Sequence, residues 1–93
     1  MSDEKLKFIK NETEQSTTRL VSFKGDMERF DLAVISSPAF GDDCLVVDLN
    51  TNKYSRINID KLKENYYVEH AFQFNEIEAE DFRLFIKPLL NEN

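Results

Sequence analysis

The chain has 93 residues, 41% of them hydrophobic, with eight Phe, two Gly and two Pro, and eighteen acidic against twelve basic residues give a net charge of −6. That length supports one domain, residues 1–93, around one core, with frayed ends expected at 1–5 and 91–93. The scarcity of Gly and Pro excludes a linker-like chain, and the acidic balance, with no basic stripe, argues against direct nucleic-acid binding.

No stretch approaches the ~20 consecutive apolar residues of a membrane span, and residues 1–10 lack the apolar run of a signal peptide. A single cysteine, Cys44, allows no internal disulfide framework. Together these features predict a cytoplasmic protein with no membrane association.

In chain order, residues 6–10 form a candidate edge strand, followed by a polar turn over 11–17. Residues 19–24 alternate, with Val21 and Phe23 on one face and Ser22 and Lys24 on the other, as a half-buried strand requires. Gly25 and Asp26 supply a turn. Residues 30–35 form a second strand, with Phe30, Leu32 and Val34 on one face and Ala33 and Ile35 on the other, a pattern that predicts a central strand covered on both sides. Pro38, Gly41, Asp42 and Asp43 mark a loop before a strand at 44–49. A hairpin through Asn50 and Asn52, either of which tolerates the left-handed conformation, leads to a return strand at 54–59 with Ile57 and Ile59 facing in. Asp60 is a candidate cap for one helical turn. Residues 66–74 alternate again, Tyr66, Val68, His70, Phe72 and Phe74 on one face, and are expected as a strand.

The C-terminal helix has the clearest start. Asn75 can accept from first-turn amides while Glu78 reaches back, with Phe74 and Ala79 in staple positions. Ala79, Phe82, Ile86, Leu89 and Leu90 follow helical spacing, and Pro88 is expected to end or kink the helix. The expected fold is α+β, a mainly antiparallel sheet of five to six strands with one C-terminal helix packed on it.

Candidate sites each have a plainer reading. Cys44 opens an apolar run and is most simply a packed side chain; its neighbours Asp42 and Asp43 disfavour a thiolate. His70, the only histidine, is a ligand or pH-sensing candidate together with Glu69, with Arg19 or Arg29 as an anion anchor, although a half-buried histidine satisfied by a local acceptor is the commoner outcome. One histidine and one cysteine far apart do not make a metal site. Glu76, Glu78, Glu80 and Asp81 form an acidic cluster that could bind a basic partner, while acids in a first helical turn also simply complement the macrodipole. No phosphate loop or catalytic triad can be placed, so neither a cofactor nor an enzymatic activity has positive support.

The fragments Glu12-Thr13-Glu14, Thr18-Arg19-Leu20-Val21-Ser22-Phe23, Arg29-Phe30-Asp31-Leu32-Ala33-Val34 and Glu69-His70-Ala71-Phe72, with the acidic C-terminal helix, resemble a family of small cytosolic proteins of Gram-positive bacteria known as a domain of unknown function. The resemblance spans residues 8–87 and implies no assigned activity or site. The expectation is a non-enzymatic protein-interaction or regulatory module whose partner is another protein or, in a homodimer, a second copy of the chain. The alternative is a small-molecule-binding protein or unfamiliar enzyme using Glu69 and His70.

Overall fold

The computed structural model describes residues 7–90. Four strands, β1 (Thr17–Lys24), β2 (Arg29–Ser36), β3 (Cys44–Asp48) and β4 (Lys53–Ile57), pair antiparallel in chain order. Three helices follow, α1 (Ile59–Lys63), α2 (Tyr67–Phe72) and α3 (Glu76–Leu90). The fold is α+β, a four-stranded meander with helices against one face.

Alternation decides which face is covered. The inner face carries Val21 and Phe23 of β1, Phe30, Leu32 and Val34 of β2, Val46 of β3 and Ile57 of β4. Against them lie Leu62 of α1, Val68 and Phe72 of α2, Phe74, and Ala79, Phe82 and Ile86 of α3. Aromatic rings form the centre of this layer. Phe82 lies 5.0 Å from Phe72 and 5.6 Å from Phe74 between ring centroids, and Phe74 meets Phe30 edge-on at 5.4 Å. Such tilted and edge-on pairs suit the ring quadrupole.

Among the described residues the sheet has four strands, and the expected fifth or sixth is not seen there. Residues 7–10 lie outside it, with Phe8 and Ile9 exposed; successive apolar side chains would point to opposite faces of a strand, so neither face would gain a pattern worth pairing. Leu6, the start of that expected strand, lies outside the described residues, as do the ends 1–5 and 91–93. Residues 66–74 hold a helix, α2. Val68 and Phe72, both buried, fit an alternating strand and a four-residue helical spacing equally well. The helix is bounded by left-handed residues, Tyr66 at φ 64° and Gln73 at φ 58°, and the amides of Gln73 and Phe74 both donate to the Glu69 carbonyl.

Two further expectations change at the ends of helices. Asn58, not Asp60, caps α1: its Oδ1 accepts from the Lys61 amide at 2.8 Å, and its Nδ2 donates to Asp43 at 2.7 Å. The return strand accordingly ends at Ile57, and Ile59 belongs to α1. Helix α3 runs on through Pro88 to Leu90. In the last turn a proline forfeits one intrahelical bond, and continuation lets Leu89 and Leu90 pack against the core. The expected hairpin is present, with Asn52 at φ 64°, and its entry is held by buried Asp48, whose Oδ1 accepts from the Asn50 amide at 3.0 Å.

The Asn75–Glu78 capping box forms in both directions, at 2.9 and 2.8 Å. One turn further on, Asp81 accepts from the Asp26 amide at 2.8 Å, tying α3 to the β1–β2 hairpin. Gly25 permits this approach, because a Cβ there would stand 2.5 Å from Asp81 Oδ2. Its φ is not left-handed, so close approach alone demands the glycine. Gly25→Ala should therefore lower stability by about 1 kcal/mol, the usual size of one lost hydrogen bond. The cost should be largely absent in an Asp81→Ala background, as a urea-unfolding double-mutant cycle would show.

Candidate functional site

The chemically distinctive side chains fall into four places. The first is the junction of the three helices. Arg83 of α3 grips both carboxylate oxygens of Glu69 on α2, Nη2 to Oε1 at 2.8 Å and Nη1 to Oε2 at 3.3 Å, and its Nε donates to the Leu62 carbonyl of α1 at 3.0 Å. The pair is largely sheltered, with side-chain exposures of 20% and 15%. Arg83 holds the Glu69 carboxyl below the usual carboxylate range, its hydrogen bonds outweighing burial. A fork of this geometry is a structural clasp joining three helices. Around it Lys63, Tyr66, Glu76 and Glu80 line a shallow cleft of about 280 Å³.

His70 is exposed and lies beside the Tyr66 ring, 6.5 Å between centroids, outside the lining of that cleft. It stands on a helix where the sequence suggested a strand face among apolar residues. Arg19 is placed on β1 opposite Val34, on a different element and outside the cleft. Glu69, His70 and Arg19 thus form no common site. Arg83, which organises the junction, was not singled out in the sequence, because its partner lies fourteen residues away on an element read as a strand.

The second place is the acidic part of α3, whose four candidates divide by role. Glu78 is committed to the capping box and Asp81 to the hairpin clamp. Glu76 and Glu80 line the cleft and remain available to a partner, Glu80 reaching Arg83 only at 3.8 Å. Glu28 packs near Glu78, and burial followed by this second carboxyl raises its pKa.

Third, the loop end of the sheet bears an open polar depression of about 750 Å³ reaching Ser36, Ser37, Asp42, Cys44, Asn58 and Asp60. Cys44 is half-buried, its Sγ 3.5 Å from the Ser36 hydroxyl. Asp43, at the rim, is held below the usual range by Asn58 first and by Lys61 and Arg56 as well. Among the described residues, no group of three or more His, Cys, Asp or Glu side chains is placed to hold a metal ion, and no helix is long and apolar enough to cross a membrane.

The fourth place is the outer face of the sheet. Strand register aligns Leu20, Ala33, Val47 and Tyr54 in one row across all four strands, next to Thr18, Ile35, Leu45 and Arg56 in a second. No helix lies on this face among the described residues, so the second layer over β2 expected from Ala33 and Ile35 is not supplied, although Ala33 itself is buried at 7% exposure and Ile35 half-buried. Leu20 is 75% and Tyr54 67% exposed. At one end, Asp31 accepts from Ser22 at 2.6 Å and pairs with Arg29 at 3.0 Å. These contacts, Ser22 foremost, lower its pKa.

The carboxyls fix the pH response. Asp31, Asp43 and Glu69 have lowered folded-state values, so each contributes stability that is present above its unfolded pKa and lost as pH falls through the folded one. Glu28 has the opposite sign, its contribution weakening as pH rises from its unfolded value through the raised one. Three groups against one predict net loss of stability as pH falls below about 4, within the carboxylate range. Glu69→Gln should flatten that acid limb in urea midpoints measured from pH 7 to 3. Arg83→Met should cost more than Glu69→Gln at pH 7, on the order of 2–3 kcal/mol, since it leaves a sheltered carboxylate without its partner.

No curated protein matches the chain. The family model described as SAV0927-like matches residues 9–88, nearly all of the sequence. The chain therefore belongs to the SAV0927-like family, an uncharacterised family.

Proposed function

We propose that this chain is a non-enzymatic, cytoplasmic protein-interaction module that uses the outer face of its sheet as the contact surface. The observation that carries this reading is the apolar row Leu20–Ala33–Val47–Tyr54, which crosses every strand and has no helix over it among the described residues. Antiparallel sheets often present one face to water, but such faces are normally polar. Apolar side chains that stay in water here would gain roughly 25 cal/mol per Å² on being covered by protein. The remaining acids, Glu76 and Glu80, flank exposed Ile77 and Leu84 on α3 and form a second, more polar contact region.

A small-molecule or catalytic role for Glu69 and His70 has less support, because Arg83 engages both oxygens of Glu69 and His70 stands apart from the cleft. The test compares tagged wild type with Leu20→Glu/Tyr54→Glu and with Glu76→Lys/Glu80→Lys, each checked for an unchanged melting curve. Binding of protein, in solution or to the immobilised chain, should fall at least tenfold in the sheet variant and little in the helix variant. Equal binding by the sheet variant and wild type would sink this reading.

A further inference from the structure

We infer that the occupant of the outer sheet face is a second copy of this chain, two sheets packing face to face about a two-fold axis with the helices outside. This deepens the interaction reading above and rests on it.

Size permits this arrangement. Four strands at about 4.8 Å spacing, two of eight residues and two of five at about 3.3 Å per residue, give a footprint of about 400 Å². Accessible area follows the relief of the side chains and exceeds that footprint, which places the face at the low end of specific interfaces, short of the ~800 Å² per partner of a standard-size one and in the range of a weak to moderate dimer. Sheets stack at about 10 Å, a gap that side chains of these sizes fill.

Charge selects the same face. A chain with net charge −6 repels its copy, and α3, with Glu76, Glu78, Glu80 and Asp81, belongs to the opposite layer. On the outer sheet face Arg29 is neutralised by Asp31 at 3.0 Å and Arg56 by Asp43 at 3.1 Å, which leaves Lys24, opposite Arg29 at the hairpin end and away from the apolar row, as the further charge among the strand residues of this face. Two copies therefore meet there with the least like-charge repulsion.

Relief along the apolar row supplies self-complementarity. Leu20 stands out from edge strand β1, and beside it Ala33 is sunk to 7% exposure. A two-fold contact needs the same patch on both copies, residue i meeting j and j meeting i. Leu20 of each copy can then enter the depression over Ala33 of the other, with Tyr54 covering the opposite side of the row.

Light scattering on the purified full chain from about 1 µM to 1 mM, the range that brackets weak to moderate dimers, tests the inference. The wild type should reach twice the 10.9 kDa chain mass. Leu20→Glu should raise the dimer dissociation constant at least a hundredfold, and Ile77→Glu on α3 should leave it unchanged. Should Leu20→Glu unfold the chain, Tyr54→Glu, at an exposed edge position, carries the same expectation. A monomer at every concentration overturns the inference. So does a dimer that survives both folded sheet variants, as pairing through the open edge of β1 would. If the wild type is monomeric and another protein still binds it through Leu20 and Tyr54, only the second copy is overturned and the interaction reading stands. A dimer indifferent to both side chains, with no other protein bound through them, removes both.

Discussion

Phe82 is the contact on which the layered structure depends. Its ring lies against Phe72 of α2, Phe74 of the connecting segment and Phe30 of β2, so a single side chain links the long helix, a short helix and the sheet. Neither α1, with five residues, nor α2, with six, reaches the roughly 12–15 residues at which an isolated helix becomes marginally stable. Both exist because tertiary packing holds Leu62, Val68 and Phe72 against that aromatic centre, and because Arg83 clasps the carbonyl of one and the carboxylate of the other.

Acidic residues outnumber basic ones, yet many of them are engaged within the fold. Asp48 braces a hairpin, Asp43 gathers Asn58, Arg56 and Lys61, Glu69 takes Arg83, Glu78 closes a helix start and Asp81 reaches across to a turn. Such charge-assisted bonds have more geometric demand than exposed ion pairs. Part of the acidic surplus is thus an architectural feature.

How far the sequence disclosed this structure depended on whether its signals were local. Strands β1 to β4 announced themselves by alternation and by turn residues such as Gly25 and Asn52, and α3 by its capping box, since each of those signals acts within a few residues. Helix α2 was misread because Val68 and Phe72 satisfy two periods at once, and only their burial in the common core, with Phe72 against Phe82, chooses between them. That choice also decided His70, which an alternating strand would have sheltered and the helix exposes. Arg83 carried no local mark, its meaning being supplied by Glu69 and Leu62 from other elements. The outer face was half visible: Ala33 and Ile35 showed that β2 is apolar on both sides, but the row from Leu20 to Tyr54 needs strand register, which is a property of the folded sheet.

The strand order has a kinetic consequence. Each strand pairs with its neighbour in sequence, so the sheet can grow by successive hairpin closures whose loops are short and entropically inexpensive. The cover arrives by a different route, because α3 meets the first hairpin through Asp26 and Asp81, 55 positions apart. During synthesis, at about 5–20 residues per second, the meander emerges seconds before the helix that shields its inner face. In that interval both faces of the nascent sheet are wet and apolar, and the rate at which α3 docks sets how long the chain is open to aggregation.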